Sequence, residues 1–235
     1  MNSLAIITAR GGSKRIPRKN IKLFCGKPIL EYSIEAALDS GCFDQVMVST
    51  EDAEIAEIAR KAGAAVPFLR SDETSGDYAT TADVIREVLE EYRKRGMEFT
   101  HACILYPTAP FVTAGKLREA MRLLVEQNAD SVLPMVRFSF PPQRAFVMSD
   151  GKISFAQPQY AKTRSQDLEP MYHDSGQFCC FRTDVFLEKK TLVTENTLGI
   201  EYPESEVQDI DTPEDWKLAE LKYTLMKEKQ DVLSD

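Results

Sequence analysis

Apolar residues are distributed along this chain in two alternating rhythms. Short unbroken runs, Leu4-Ala5-Ile6-Ile7, Val46-Met47-Val48, Ala102 to Tyr106 and Ser131 to Val136, read as buried strands. Between them apolar positions recur at helical spacing. Pro28 to Leu38 reads as a helix with Ile29, Leu30, Ile34 and Leu38 turned inward, and Ala53 to Ala62 as a second. Val84, Ile85, Val88, Leu89 and Tyr92 mark a third, and Thr113 is placed to cap a fourth with Leu117, Met121 and Leu124 on one face. Phe178 to Phe181 and Val207 to Ile210 read as further strands. Thr212-Pro213 opens a last helix, Thr capping and Pro at its first position, that runs through Lys229.

Strands alternating with helices predict an α/β fold of three layers, Rossmann-like, with a mostly parallel sheet and helices on both faces. In such sheets ligands bind beyond the carboxyl ends of the strands, which here means just after Ile7, Val48 and Tyr106. The rhythm breaks at residues 138–170, where Pro141-Pro142 and Pro158 interrupt a stretch rich in Gln, Arg and Ser. The chain therefore reads as one domain, 1–235, carrying an inserted segment at 138–170. Irregular segments of that length are uncommon without a role.

Composition narrows the function. The 235 residues hold 29 Lys and Arg against 37 Asp and Glu, a formal net charge of −8. That balance argues against bulk nucleic acid as a partner. The basic residues crowd instead near the start: Arg10, Lys14, Arg15, Arg18, Lys19, Lys22 and Lys27. A local cationic cluster on an acidic chain points to a small anionic ligand. The five cysteines, Cys25, Cys42, Cys103, Cys179 and Cys180, are odd in number and form no CxxC, as expected of free thiols in a reducing cytoplasm. Cys179 and Cys180 would face opposite sides of a strand. The opening apolar run is too short for a secretory signal, and no stretch has the length of a membrane span.

Two elements carry the chemistry. The first follows the first strand: Ala9-Arg10-Gly11-Gly12-Ser13-Lys14, then Arg18-Lys19-Asn20. Two glycines let backbone N–H groups converge, while Arg10, Lys14 and Lys19 add full charges, the combination a polyphosphate requires. Neither the Walker spacing nor GxGxxG is present. The second is Gln208-Asp209-Ile210-Asp211. On a strand Asp209 and Asp211 would share one face, and two such carboxylates repel unless a cation lies between them. A divalent metal is the simplest occupant, and Mg²⁺ favours a few carboxylates with phosphate oxygens and water. A solvated or helix-capping Asp pair is the alternative.

The run ARGGSKRIPRKN, with DID before Thr212-Pro213-Glu214-Asp215-Trp216, resembles the signature of the acylneuraminate cytidylyltransferase family, which makes CMP-sialic acid and related CMP-sugars. The resemblance extends over nearly the whole chain and implies a nucleotidyltransferase fold. It assigns the CTP triphosphate to residues 9–20 (Ala9, Arg10, Gly11, Gly12, Ser13, Lys14, Lys19, Asn20), with Arg10 and Lys19 catalytic beside Asp209 and Asp211, the Mg²⁺ ligands. It also gives Arg70 to cytosine and places Ala79 and Thr81 beside base and ribose, although Thr80 and Thr81 equally suit a helix N-cap. Ser71 stands where the family often has Pro. Tyr106, in Tyr106-Pro-Thr-Ala-Pro, replaces a Gln that touches sugar in sialic acid members, which puts sialic acid itself in question.

Thr163-Arg164-Ser165-Gln166-Asp167-Leu168 and Tyr172-His173-Asp174-Ser175-Gly176-Gln177-Phe178 resemble the branch that handles pseudaminic acid. That likeness marks Tyr106, Arg164, Gln166, His173, Asp174 and Gln177 as sugar contacts, Arg164 for the carboxylate. Residues 138–170 match the family's dimerisation arm, which implies a homodimer. The activity that the resemblance implies is CMP transfer from CTP to the anomeric hydroxyl of pseudaminic acid in the cytoplasm, with release of pyrophosphate. Related acidic sugars, or a nucleotide-binding protein without turnover, are the alternatives.

Overall fold

The computed structural model describes residues 2–234. In chain order its elements are β1 (Ser3–Thr8), the short pair β2 (Leu23–Phe24) and β3 (Lys27–Pro28), α1 (Ile29–Ser40), β4 (Gln45–Ser49), α2 (Ala53–Lys61), α3 (Asp72–Ser75) and α4 (Thr81–Lys94). Then come β5 (His101–Leu105), α5 (Ala114–Glu126), β6 (Ser131–Arg137), the hairpin β7 (Phe146–Ser149) and β8 (Lys152–Phe155), β9 (Tyr172–Asp174), β10 (Phe178–Arg182), α6 (Thr183–Lys189), β11 (Thr197–Glu201) and α7 (Pro213–Ser234).

The main sheet has the order β11-β6-β10-β5-β1-β4, with β9 also paired to β6. Strands β1, β4, β5, β6 and β11 run one way, and β9 and β10 the other. Alternation along each strand feeds two cores. Ala5, Ile7, Cys103, Leu105 and Cys180 pack with α1, α2 and α5 on one face. Leu4, Ile6, Ala102, Ile104 and Cys179 pack with α4 and α6 on the other. This is the expected three-layer α/β arrangement, and the adjacent cysteines do divide between its faces. A third cluster joins Ile16 and Phe24 to Ile210, Trp216 and Ala219, which docks α7 beneath the segment that follows β1.

Two expectations are corrected. Val207 to Ile210 is not a strand: a short turn at Glu204–Glu206 leads into backbone with no ladder partner. Its buried residues, Val207 and Ile210, are three apart, so strand alternation does not set the directions of Asp209 and Asp211. The strand entering the sheet is β11, ten residues earlier by its start. Leu38 is exposed, and Tyr32, Ser33 and Ala37 are buried on α1 instead. Residues 138–170 contain the separate β7–β8 hairpin, which forms its own two-stranded sheet.

Candidate active site

The main-chain turn after β1 is built before any ligand chemistry is considered. Ala9 N–H still donates to Ser49 O at 3.0 Å, continuing the sheet by one bond. Asn20, buried, reaches back with its amide to Arg10 O at 2.8 Å and closes residues 10–20 into a loop. The loop is strapped to the end of β4. Gly11 N–H donates to Glu51 Oε1 at 2.7 Å. Arg18, in the left-handed region with φ 54°, forks onto Asp52, its Nη2 lying 3.1 Å from Oδ1. Asp52 in turn caps α2 by accepting from Glu54 and Ile55 N–H, each at 3.0 Å. The Arg18 guanidinium holds the Asp52 carboxyl below its ordinary range. Gly11 is required here because a Cβ would lie 2.6 Å from Asp52 Oδ2.

This loop forms one wall of a cavity of about 520 Å³ at the carboxyl ends of β1 and β5. Of the residues singled out from sequence, Arg10, Ser13, Lys14, Lys19, Asn20, Arg70, Ala79, Thr81, Tyr106 and Asp211 all line it. Gly11 and Gly12 line a contiguous depression with Arg10, Ser13 and Lys14, whereas Ala9 is wholly buried behind the loop. Lys19 Nζ donates to Ile210 O at 2.6 Å and stands 3.5 Å from Asp211 Oδ1. The first and last chemical motifs, 192 positions apart, therefore meet in one cavity. Asp209 is exposed and is not among the lining residues.

Opposite the loop, Thr80 caps α4 in a reciprocal box with Asp83, which aims a helix N-terminus and its partial positive charge at the cavity. Thr81, the first helical residue, is the lining partner and Thr80 the cap. Arg70 is buried and donates from Nε and Nη2 to Ser49 Oγ and O at 3.0 and 2.5 Å. Burial lowers its pKa. Burial, opposed by neighbouring Thr81, raises the pKa of the Tyr106 phenol.

Besides Lys19 and Arg15, the 204–211 segment is held by Lys116, Gln177, Lys222 and Asp215. Buried Lys116 pairs with Glu206 at 2.9 Å and donates to Phe111 O at 3.2 Å. Burial first, opposed by Glu206, lowers its pKa. Gln177 Nε2 donates to Glu206 O at 2.8 Å, and Lys222 to Glu204 O and Val207 O at 3.0 and 2.8 Å. Asp215 accepts from Asp211 and Thr212 N–H at 3.1 and 2.7 Å, fixing the entry to α7.

The remaining sugar candidates lie apart from the cavity. Arg164 and Gln166 are exposed at the short turn Ser165–Asp167, where Arg164 Nε pairs with Asp167 at 2.7 Å. His173 and Asp174 are exposed on β9, the imidazole 4.8 Å from the Phe138 ring. Gln177 is buried, its Oε1 without a partner among the described residues.

The sequence profile described as cytidylyltransferase matches residues 4–229. The chain belongs to the cytidylyltransferase family. This cytidylyltransferase is 38% identical over 229 residues to a pseudaminic acid cytidylyltransferase of Campylobacter jejuni, covering 97% of this chain and 99% of the relative. It is 32% identical over 235 residues to the CMP-N,N'-diacetyllegionaminic acid synthase of Legionella pneumophila, covering 97% and 99%. Among solved structures, CMP:2-keto-3-deoxy-manno-octonic acid synthetase complexed with CTP shares the fold with a TM-score of 0.70 at 17% identity, covering 97% of this chain and all of that one.

Sequence reasoning missed several residues of the cytidylyltransferase's cavity. Arg15, Thr74, Asp77 and Thr108 also line it. Arg15 pairs with Asp211 at 2.9 Å, and Asp77 bridges Arg10 and Lys14 at 3.0 and 2.5 Å. Arg15 was visible as one of the clustered cations, but its partner is distant in sequence. A cavity of about 610 Å³ at the other end of β5, lined by Met97, His101, Leu124 and Arg182, has no such loop beside it. Chemistry, not volume, singles out the site.

Proposed function

We propose that this cytidylyltransferase transfers CMP from CTP to the anomeric hydroxyl of pseudaminic acid. The observation that carries this is the meeting of the cationic glycine loop and Asp211 in one cavity, within a chain alike over nearly its full length to pseudaminic acid cytidylyltransferases. The hydroxyl oxygen attacks the α-phosphorus in line. A new P–O bond forms to the sugar, the hydroxyl proton passes to solvent, the bond to the β-phosphate oxygen breaks, and pyrophosphate leaves with the charge. Such chemistry depends on positioning and on charge neutralisation. Arg10, Lys14 and Lys19 hold the triphosphate and the departing pyrophosphate, the loop N–H groups and the α4 N-terminus add donors, and Arg70, Ala79 and Thr81 flank the nucleoside.

Among the described residues no cluster of three or more His, Cys, Asp or Glu could by itself hold a metal. Asp211 in the cavity, with Asp209 two residues before it, instead suits an ion that completes its shell with phosphate oxygens and water, as Mg²⁺ does. Asp209 and Asp211 would hold it, and it would supply charge neutralisation on the phosphates.

Tyr106 lines the cavity, its N–H donating to Gln177 O at 3.0 Å, and is assigned to the sugar with Arg164, Gln166, His173, Asp174 and Gln177. The exposed positions of Arg164 and His173 favour a composite site completed by a second copy, docked through the 138–170 arm of a single nucleotidyltransferase domain. Among the described residues no helix is long and apolar enough to cross a membrane. We assign the enzyme to the cytoplasm.

The test is pyrophosphate release by the purified chain with Mg²⁺, CTP against UTP, ATP and GTP, and pseudaminic, legionaminic and sialic acids. The expected result is turnover with CTP and pseudaminic acid above the rest. Preference for legionaminic acid would move the substrate to that neighbouring class, and no turnover with any of the three would end the proposal.

A further inference from the structure

Each cation of the loop faces a carboxylate of the chain itself. Arg15 and Lys19 face Asp211, and the Gly11 N–H is taken by Glu51. Arg10 and Lys14 share Asp77, whose two oxygens lie 3.0 Å from Arg10 Nη1 and 2.5 Å from Lys14 Nζ. A single carboxylate spanning two cations with separate oxygens has the geometry of a phosphate bound between them.

Asp77 differs from the other two acids in what holds it. Glu51 follows directly on β4, and Asp211 sits in a segment pinned by Lys19 and Asp215. Asp77 lies on residues 76–79, between α3 and α4. That stretch is anchored before its start by Ser71 N–H on Glu87 at 2.8 Å, and after its end by the Thr80–Asp83 box. Its internal bond is Ala79 N–H to Gly76 O at 3.3 Å. Among the described residues, its hydrogen bonds to the rest of the fold run through the Asp77 carboxylate. The next side chain, Tyr78, is 99% exposed. Lys14 first, then Arg10, keep the Asp77 carboxyl below its ordinary value, so this anion stays charged at neutral pH.

We propose that Asp77 is a built-in competitor for the phosphate cradle: its carboxylate occupies Arg10 and Lys14 as a stand-in anion, and a polyphosphate binds by taking both cations from it. This rests on the reading of residues 9–20 as a triphosphate cradle. Exposed ion pairs of this kind are individually weak and salt-screened, so the exchange is reversible. It also favours ligands of high charge, because a polyphosphate brings several charged oxygens against the single charge of the carboxylate that it displaces.

The experiment is calorimetric titration of inorganic tripolyphosphate, which has no base or sugar, and separately of CTP and UTP. The proteins are wild type, D77N and, as a second variant, D77S, in EDTA at low salt. Thermal melts establish that each variant is folded. Removing the competitor should tighten tripolyphosphate binding by about three- to tenfold. The gain should shrink as salt is raised past a Debye length comparable with the contacts. Folded variants that bind tripolyphosphate as wild type does, or more weakly, overturn the role of Asp77. Loss of any preference for CTP over UTP, with the tripolyphosphate gain intact, would instead break the nucleotide reading and leave the competitor standing, so the two failures are distinguishable.

Discussion

The loop of residues 9–20 and the arm of residues 138–170 are both mostly irregular backbone, but they are finished in different ways. In the loop every charge discussed above meets a counter-charge within the same chain, and Ile16 is buried in the third cluster. The arm leaves its apolar side chains outside. Phe140 is 87% exposed, Met148 75% and Ile153 65%. Large apolar groups gathered on one hairpin and its approach mark a surface meant to be covered. The difference teaches that the cationic loop is satisfied within one chain, whereas the apolar face of the arm is not.

The strongest way to break this contrast is to remove the acid that the loop converges on. D211A should lower kcat for pyrophosphate release on the order of a hundredfold or more, with circular dichroism unchanged. Near-normal turnover would mean that the cationic loop is not where the reaction occurs. Next comes the arm. F140D combined with M148D should weaken self-association on the order of tenfold or more, measured by light scattering across a concentration series. CTP binding should persist in that variant while turnover falls. Equal loss of both would show that loop and arm are not separable.

Smaller effects sharpen the description of the loop. G11A must move Asp52 or the loop, and should destabilise the fold by about 1–3 kcal/mol in urea denaturation. T80A removes the α4 cap and should cost about 1 kcal/mol. D52N isolates charge, because Asn caps α2 as well as Asp does. The Asp52 carboxyl is depressed in the folded state, so its stabilisation is present above the unfolded value, near 3.8, and is lost as pH falls through the folded value. D52N should therefore flatten the acid limb of stability against pH below about pH 4, by at most roughly 1 kcal/mol, in chemical denaturation at stepped pH.

The layered fold was legible because its cause is local. Unbroken apolar runs and helical spacing gave β1, β4, β5, β6 and β10 with α1, α2, α4 and α5, and Thr113 and Thr212 marked helix starts, while the short α3 and α6 went unread. Val207 to Ile210 deceived because two buried side chains three apart resemble a short apolar strand, while β11 shows Leu198 and Ile200 in an edge strand with little alternation to read. Within the site, residue type and glycine spacing exposed Arg10, Lys14, Lys19 and Asp211. The pairs Lys14–Asp77 and Arg15–Asp211 were not legible, since the first joins residues 63 positions apart and neither partner has a periodic signature. Folding alone brings them together.

The third cluster has a consequence for synthesis. Ile16 and Phe24 find their packing partners in Ile210, Trp216 and Ala219, far later in the chain. A chain emerging from the ribosome can lay β1 against β4 and β5 early and strap the cationic loop to Glu51 and Asp52, but Ile16, Lys19 and Phe24 lack their partners until Ile210 and α7 have been translated. A pause before Ile210 therefore leaves the loop tethered on one side only.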